Sequence, residues 1–250
     1  MDAEKFIVNV PEGQQKVEVL LREVDQNVET VLPVQEPDQV SISGTITAIT
    51  NFLEKRWLAE DNQIDHCRTH LTVNRDALSM TLVVNETDKR NRKTVKGSIS
   101  LSRQYKAFGI NEKENWTPED LGNFFRVNRT YFDSRDVNMQ LVTLFKSFKA
   151  KIATSIERLE KDDGSLTDNY SQVVDSNLPN AFFINIPIFK GTKPEHIEIQ
   201  VVAHVSGKTV ELALISADAA AIEEDVRDKI IDAELTKIRE IAPEIPIIEV

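Results

Sequence analysis

His66–Asn85 reads HCRTHLTVNRDALSMTLVVN, and its period sets the kind of fold the chain can adopt. Cys67, Thr69, Leu71 and Val73 alternate with His66, Arg68, His70 and Thr72, and then Leu78, Met80, Leu82 and Val84 alternate with Ser79, Thr81 and Val83. A period of two is that of a strand with one buried face. Asn74, Arg75, Asp76 and Ala77 between the runs are turn residues, so the spacing predicts two strands joined by a tight turn. After a polar loop, Val95, Gly97, Ile99 and Leu101 alternate with Thr94, Lys96, Ser98 and Ser100, a third one-sided strand of an antiparallel sheet. Upstream, from Thr45, the residues Ile46, Ile49, Leu53 and Trp57 recur at spacings of three and four with Phe52 beside them, which predicts an amphipathic helix capped by Ser43.

Downstream the same grammar continues. Thr117, Pro118, Glu119 and Asp120 form a helix start, with a capping hydroxyl, proline at the first helical position and acids facing the positive end of the macrodipole. A short helix carrying Leu121, Phe124 and Phe125 follows. From Ser134 to Lys161 a long helix holds Val137, Leu141, Leu144, Phe145, Phe148, Ile152, Ile156 and Leu159 on one face, until Asp162, Asp163 and Gly164 stop it. Three more strands are expected around Phe182–Phe189, Ile197–Val202 and Val210–Leu214, the last after a Ser206, Gly207, Lys208 turn, with Pro187 at an edge or bulge. A final helix runs to Arg239, with Glu223 to Arg227 and Asp225 to Lys229 as i,i+4 pairs. The expected class is α+β: antiparallel sheets with packed amphipathic helices, one long central helix and a C-terminal helix. Residues 1–39 read as an N-terminal arm with short strands. Residues 40–250 read as a single α+β domain, or as two similar sheet-plus-helix halves at 40–161 and 178–250.

The composition narrows the function classes. Of 250 residues, 30 are Lys or Arg and 41 are Asp or Glu, a formal charge of −11. That is a soluble globular profile, and no run approaches the ~18 consecutive apolar residues of a membrane helix. Met1, Asp2, Ala3, Glu4 and Lys5 lack the start of a signal peptide, so the expected location is the cytoplasm. The single cysteine, Cys67, excludes an internal disulfide and a cysteine-built zinc site. There are only 8 glycines, and neither the dinucleotide nor the triphosphate glycine motif occurs, so no cofactor is expected. The nucleophile-elbow pattern is absent too, and no catalytic residue is singled out. Asp65, His66, Cys67 and His70 have metal-ligand chemistry, but on a strand His66 and His70 stand about 13 Å apart, too far for one ion. His196 and His204 belong to another strand.

Two features do stand out. Lys89, Arg90, Arg92, Lys93 and Lys96 form a basic loop in an acidic chain, a candidate site for phosphate, nucleic acid or an acidic protein surface. Lys146, Lys149 and Lys151 on the long helix would extend it only by folding onto the same face. The tail carries Ile245, Ile247, Ile248 and Val250, broken by Pro243 and Pro246. Such a tail either packs on its own core or adds as a strand to a neighbour, which makes these four residues candidate oligomer contacts.

Three stretches, Val40–Trp57 (VSISGTITAITNFLEKRW), Ala77–Asn85 with its charged loop, and Leu178–Leu214 opening with LPNAFFINIPIFKG, resemble the YfdQ-like family of uncharacterised phage and prophage proteins. With the order of helices between them the likeness covers about 40–240. It implies a phage or prophage origin and action in the bacterial host cytoplasm beside phage DNA recombination or replication, and it brings no catalytic residue. The expected function is a non-enzymatic, self-associating accessory binding protein whose partner is single-stranded nucleic acid or a host or phage protein, with no membrane. The alternatives are an inhibitor of a bacterial anti-phage defence system, sequestering a nucleotide signal or a host protein, and a metal-dependent enzyme built on the His66–His70 stretch.

Overall fold

The computed structural model describes residues 39–57, 64–88, 91–112, 116–159, 173–206 and 209–250. The N-terminal arm, Lys89 and Arg90, the helix stop at 162–164 and the turn residues 207–208 lie outside them. The α+β expectation is met: helices pack on two sheets, one of five strands and one of three.

The hairpin forms as its period demands. Strand β2 (His70–Asn74) pairs antiparallel with β3 (Ser79–Val84), and β3 pairs antiparallel with β4 (Lys93–Ser98). The Asn74 carboxamide accepts from the Ala77 amide at 2.7 Å, closing the turn. Leu78 ends that turn with φ of 52° and so is not a strand residue. Leu71, Val73, Met80, Leu82, Val84 and Val95 all point into one buried core.

The sheet is mixed rather than antiparallel, because both edge strands run parallel to their neighbours. Val40–Thr45, which the sequence reading places at the start of the first helix, is a strand, β1, paired with β4. Ser43 therefore lies in β1 rather than at a cap, and Thr47 precedes helix α1 (Ala48–Arg56) without a side-chain cap bond. The tail supplies the other edge: β8 (Ile247–Glu249) pairs with β2, in the order β1-β4-β3-β2-β8. The chain's passage from β1 to α1 crosses over Gly97, where an added Cβ would stand 2.9 Å from the Ile46 carbonyl oxygen and 3.0 Å from its Cα.

Residues Ile99–Ser102 carry the chain to the second sheet. The Ile99 amide donates to the Leu78 carbonyl, Leu101 bridges Phe189, and the Ser102 amide donates to the Ile188 carbonyl at 2.7 Å. Ser102 then caps α2 (Arg103–Phe108), a helix the sequence reading does not name, and Thr117 caps α3 (Pro118–Val127) by accepting from the Asp120 amide, as the sequence predicts. The long helix is α4 (Arg135–Leu159). Strands β5 (Phe182–Pro187), β6 (Pro194–Ser206) and β7 (Thr209–Ile215) form the antiparallel meander, with Pro187 on an edge strand where its missing N–H costs no ladder bond. Phe125, Phe145, Ile184, Ile186, Ile197, Ile199 and Leu212 form their core with α3 and α4.

Helix α5 (Ala219–Ile241) belongs to both cores. Ala219 and Val226 pack with the three-stranded sheet, Ile231, Leu235 and Ile238 with the five-stranded one, and Ile230 touches both. Within α5 the Asp225–Lys229 pair forms, but Glu223 instead accepts from the Tyr105 hydroxyl and Arg227 pairs with Asp228. Glu234 is only 5% exposed; it accepts from Thr50 on α1 at 2.6 Å and from Lys237 at 2.7 Å, which satisfies a carboxylate that burial alone would penalise. Gly97→Ala should lower stability by about 1–3 kcal/mol, because backbone rather than a movable side chain occupies the space. Urea denaturation measures this, and an unchanged midpoint would contradict the crossing.

Candidate functional site

One face of the five-stranded sheet packs on α1 and α5; the other is mostly hydroxyl-bearing and polar, with Val83 and Ile248 as its apolar members. The strand registers place the residues of that second face in three cross-strand rows. The first runs Ser41, Thr94, Val83, His70. The second runs Ser43, Lys96, Thr81, Thr72, Ile248 and crosses all five strands. The third runs Thr45, Ser98, Ser79, Asn74. Ser41, Ser43, Thr45, Lys96 and Ser98 are exposed, and Thr72, Thr81 and Thr94 are half-buried. The face is thus a ladder of hydroxyl groups with one cation near its middle.

The basic residues distribute around it unequally. Lys96 stands in the central row, and Arg92, one residue before β4, is exposed. Lys93 shares the register side of Val95 and Gly97, so it lies at the end of the opposite face and does not join Lys96. Lys89 and Arg90 lie outside the described residues. Among the described residues none of Arg92, Lys93 and Lys96 forms an ion pair. The nearby acids are engaged: Glu86 stands 2.7 Å from His70 Nδ1, and Asp88 accepts from Asn91 at 3.2 Å. Lys146 and Lys151 are exposed on α4, the helix whose apolar side packs on the other sheet, and are not brought to this face.

The metal reading loses its geometry. His66 and Cys67 belong to a 3-10 turn, His66–Arg68, instead of β2, and His66 faces Glu244 at 3.6 Å while His70 faces Glu86. Among the described residues no three His, Cys, Asp or Glu side chains are grouped to hold an ion. His196 and His204 both lie on the outward side of β6, eight positions apart.

The tail closes on its own chain. Leu71 N donates to the Pro246 carbonyl at 3.0 Å and Val250 N to the Val73 carbonyl at 2.9 Å, so β8 completes the sheet. Ile245 is buried and Ile247 packs against the same core, whereas Ile248 is 46% and Val250 70% exposed. A charge cluster fixes this edge. The Arg75 guanidinium, from the hairpin turn, donates to Asp228 (3.1 Å) and Asp232 (2.8 Å) of α5 and to Glu249 (3.1 Å) of β8. These carboxylates hold the guanidinium well above its ordinary pKa, with Glu249 the largest contributor. Asp228 is held below the usual carboxylate range, first by the Arg227 hydrogen bond and also by Arg75.

The hydroxyl face was only half visible in the sequence. Its β1 contribution was hidden because Val40, Ser41, Ile42, Ser43 alternate for too short a run beside a strong helix signal. Compared with models of known protein families, with curated proteins and with solved structures, the chain finds no match.

Arg75→Gln should release β8, seen as faster amide hydrogen exchange at Val250 and at its partner segment in β2. Asp228 adds a pH dependence of definite sign. A carboxylate whose folded pKa is depressed stabilises above its unfolded value, and that contribution is lost as pH falls below about 4. Asp228→Asn should flatten the acid side of the stability profile, and an unaltered profile would remove Asp228 from the cluster.

Proposed function

We propose that this is a non-enzymatic binding protein of phage or prophage origin, self-associating, that acts in the bacterial cytoplasm beside phage DNA recombination or replication by holding single-stranded nucleic acid on the hydroxyl face. The observation that carries the reading is the row Ser43, Lys96, Thr81, Thr72, an exposed cation free of ion-pair partners among the described residues and flanked by hydroxyls, in a chain of charge −11. Most protein hydrogen bonds to nucleic acid go to phosphate and sugar, and Lys, Arg, Ser and Thr make them without reading sequence. A flat face with few positive charges suits one flexible strand better than a duplex, because the acidic remainder repels the denser phosphate array at long range. The source and cellular setting rest on the three resembling stretches alone.

Labelled single-stranded DNA should be retained at low salt. Arg92→Glu with Lys96→Glu should weaken retention and make the slope of log affinity against log salt shallower, by about 0.7 for each phosphate that is no longer neutralised. No retention by the unaltered protein at micromolar concentration would overturn the reading.

Self-association draws on the β8 edge, where Ile248 and Val250 face outward while Ile245 and Ile247 are used by the chain's own core. An edge strand with unpaired backbone groups and apolar neighbours is a template for a second copy. Native mass spectrometry should show a multimer that Ile248→Glu with Val250→Glu converts to monomer; a monomer before substitution would contradict this part.

A further inference from the structure

A groove of about 370 Å³ lies between the first half of α4 and the residues leading into β5. Its lining is apolar at Val137, Leu141 and Phe182, of which Leu141 and Phe182 are buried. Its exposed lining carries Asp133, Gln140 and Asn180, with Ala181 between Asn180 and the floor residue Phe182. Phe183 also lines it, and is 37% exposed.

Phe183 does not stand alone. In the β5–β6 register Phe183 is opposite Glu198 and Asn185 is opposite His196, which makes Phe183 and His196 diagonal neighbours on the outward side of the sheet. Their rings stack with centroids 4.4 Å apart and planes 7° from parallel. The imidazole is fixed from its other side. His196 Nδ1 stands 3.0 Å from Asn185 Oδ1 and 3.5 Å from Asp133 Oδ1, and Asn185 Nδ2 donates to Asp133 at 2.7 Å. A surface histidine would ordinarily rotate about its second side-chain torsion. Here a carboxylate and a carboxamide hold its plane, so His196 backs one face of Phe183 and leaves the other face of that ring for a guest in the groove.

The guest must suit a flat aromatic face, an apolar floor and a rim of one carboxylate and two carboxamides. An aliphatic side chain would use the floor and leave the rim groups desolvated without partners. A phosphate in the groove would meet the Asp133 carboxylate and no Lys or Arg of the lining, so a nucleotide would enter by its base and keep its phosphate outside. A planar heteroaromatic ring satisfies all three, because its face stacks on Phe183 while its edge donates and accepts at Gln140, Asn180 and Asp133. The volume is at the small end of ordinary ligand sites, roughly 300–1,000 Å³.

We propose that the groove and the Phe183–His196 stack form a nucleobase-binding site. The base comes either from a free nucleotide or from a single strand with its bases splayed out. The site lies on the three-stranded sheet and does not depend on the hydroxyl face of the other.

Calorimetric titration of the full chain with adenosine monophosphate, with an oligodeoxyadenylate and with an abasic strand of the same length tests this. The mononucleotide should bind, or the oligodeoxyadenylate should bind more tightly than the abasic strand. Phe183→Ala should weaken that base-dependent binding about tenfold, and Phe183→Trp should preserve it. Binding of the mononucleotide alone assigns the site to free nucleotides; a base-dependent gain for the strand alone assigns it to single strands. The proposal is overturned if no ligand shows base-dependent binding, or if Phe183→Ala, folded by circular dichroism, binds as the unaltered chain does. The abasic strand reads only backbone contacts, so failure of the hydroxyl-face reading is distinguishable from failure of this one.

Discussion

The packing of α5 into two cores is the constraint on which the rest depends. Without α5 the five-stranded sheet would have only α1 on its apolar face, too little cover for Leu71, Val73, Met80 and Leu82. By placing Ala219 and Val226 against one sheet and Ile231, Leu235 and Ile238 against the other, a single 23-residue helix buries apolar surface of both. Residues Asp38–Val250 accordingly form one compact unit. The same helix delivers the chain to β8, and its Asp228 and Asp232 hold Arg75, which in turn holds Glu249. Helix, hairpin turn and tail are thus fixed by one charge cluster, and the edge of the five-stranded sheet inherits its register from α5.

Much of this was legible in the sequence, and the parts that were not share a physical cause. Alternation located β2 to β7, the cap at Thr117 located α3, and the apolar face from Val137 onward located α4, because those signals are local. The two parallel edge pairings were not legible. Val40 meets Lys93 and Leu71 meets Ile247, and no local period states which distant strand a short run will join. His66 and Cys67 continued the alternation of β2 yet form a 3-10 turn, since the Asp65 carboxylate accepts from the Cys67 amide and offers the backbone another partner. The buried Glu234 finds its partner Thr50 on α1, 184 positions away, and no local pattern announces that pairing.

Of the candidate sites, the sequence located Lys96 and the outward tail residues by composition alone. The hydroxyl rows needed β1, and the Phe183–His196 platform needed Asp133, 52 positions from Asn185, so neither could be assembled from a motif. Both lie on sheet faces turned away from the shared cores. With the inner faces covered by α1, α3, α4 and α5, the outer faces carry no packing duty and keep polar or exposed aromatic residues that a core would reject.

Photocrosslinking of a single-stranded oligonucleotide carrying halogenated bases, mapped by mass spectrometry, tests most directly whether these faces hold nucleic acid. Adducts should fall on the β1–β4 strands around Lys96 and on the Phe183–His196 strands. Adducts confined to α3 and α4, or none at saturating oligonucleotide, would contradict the account.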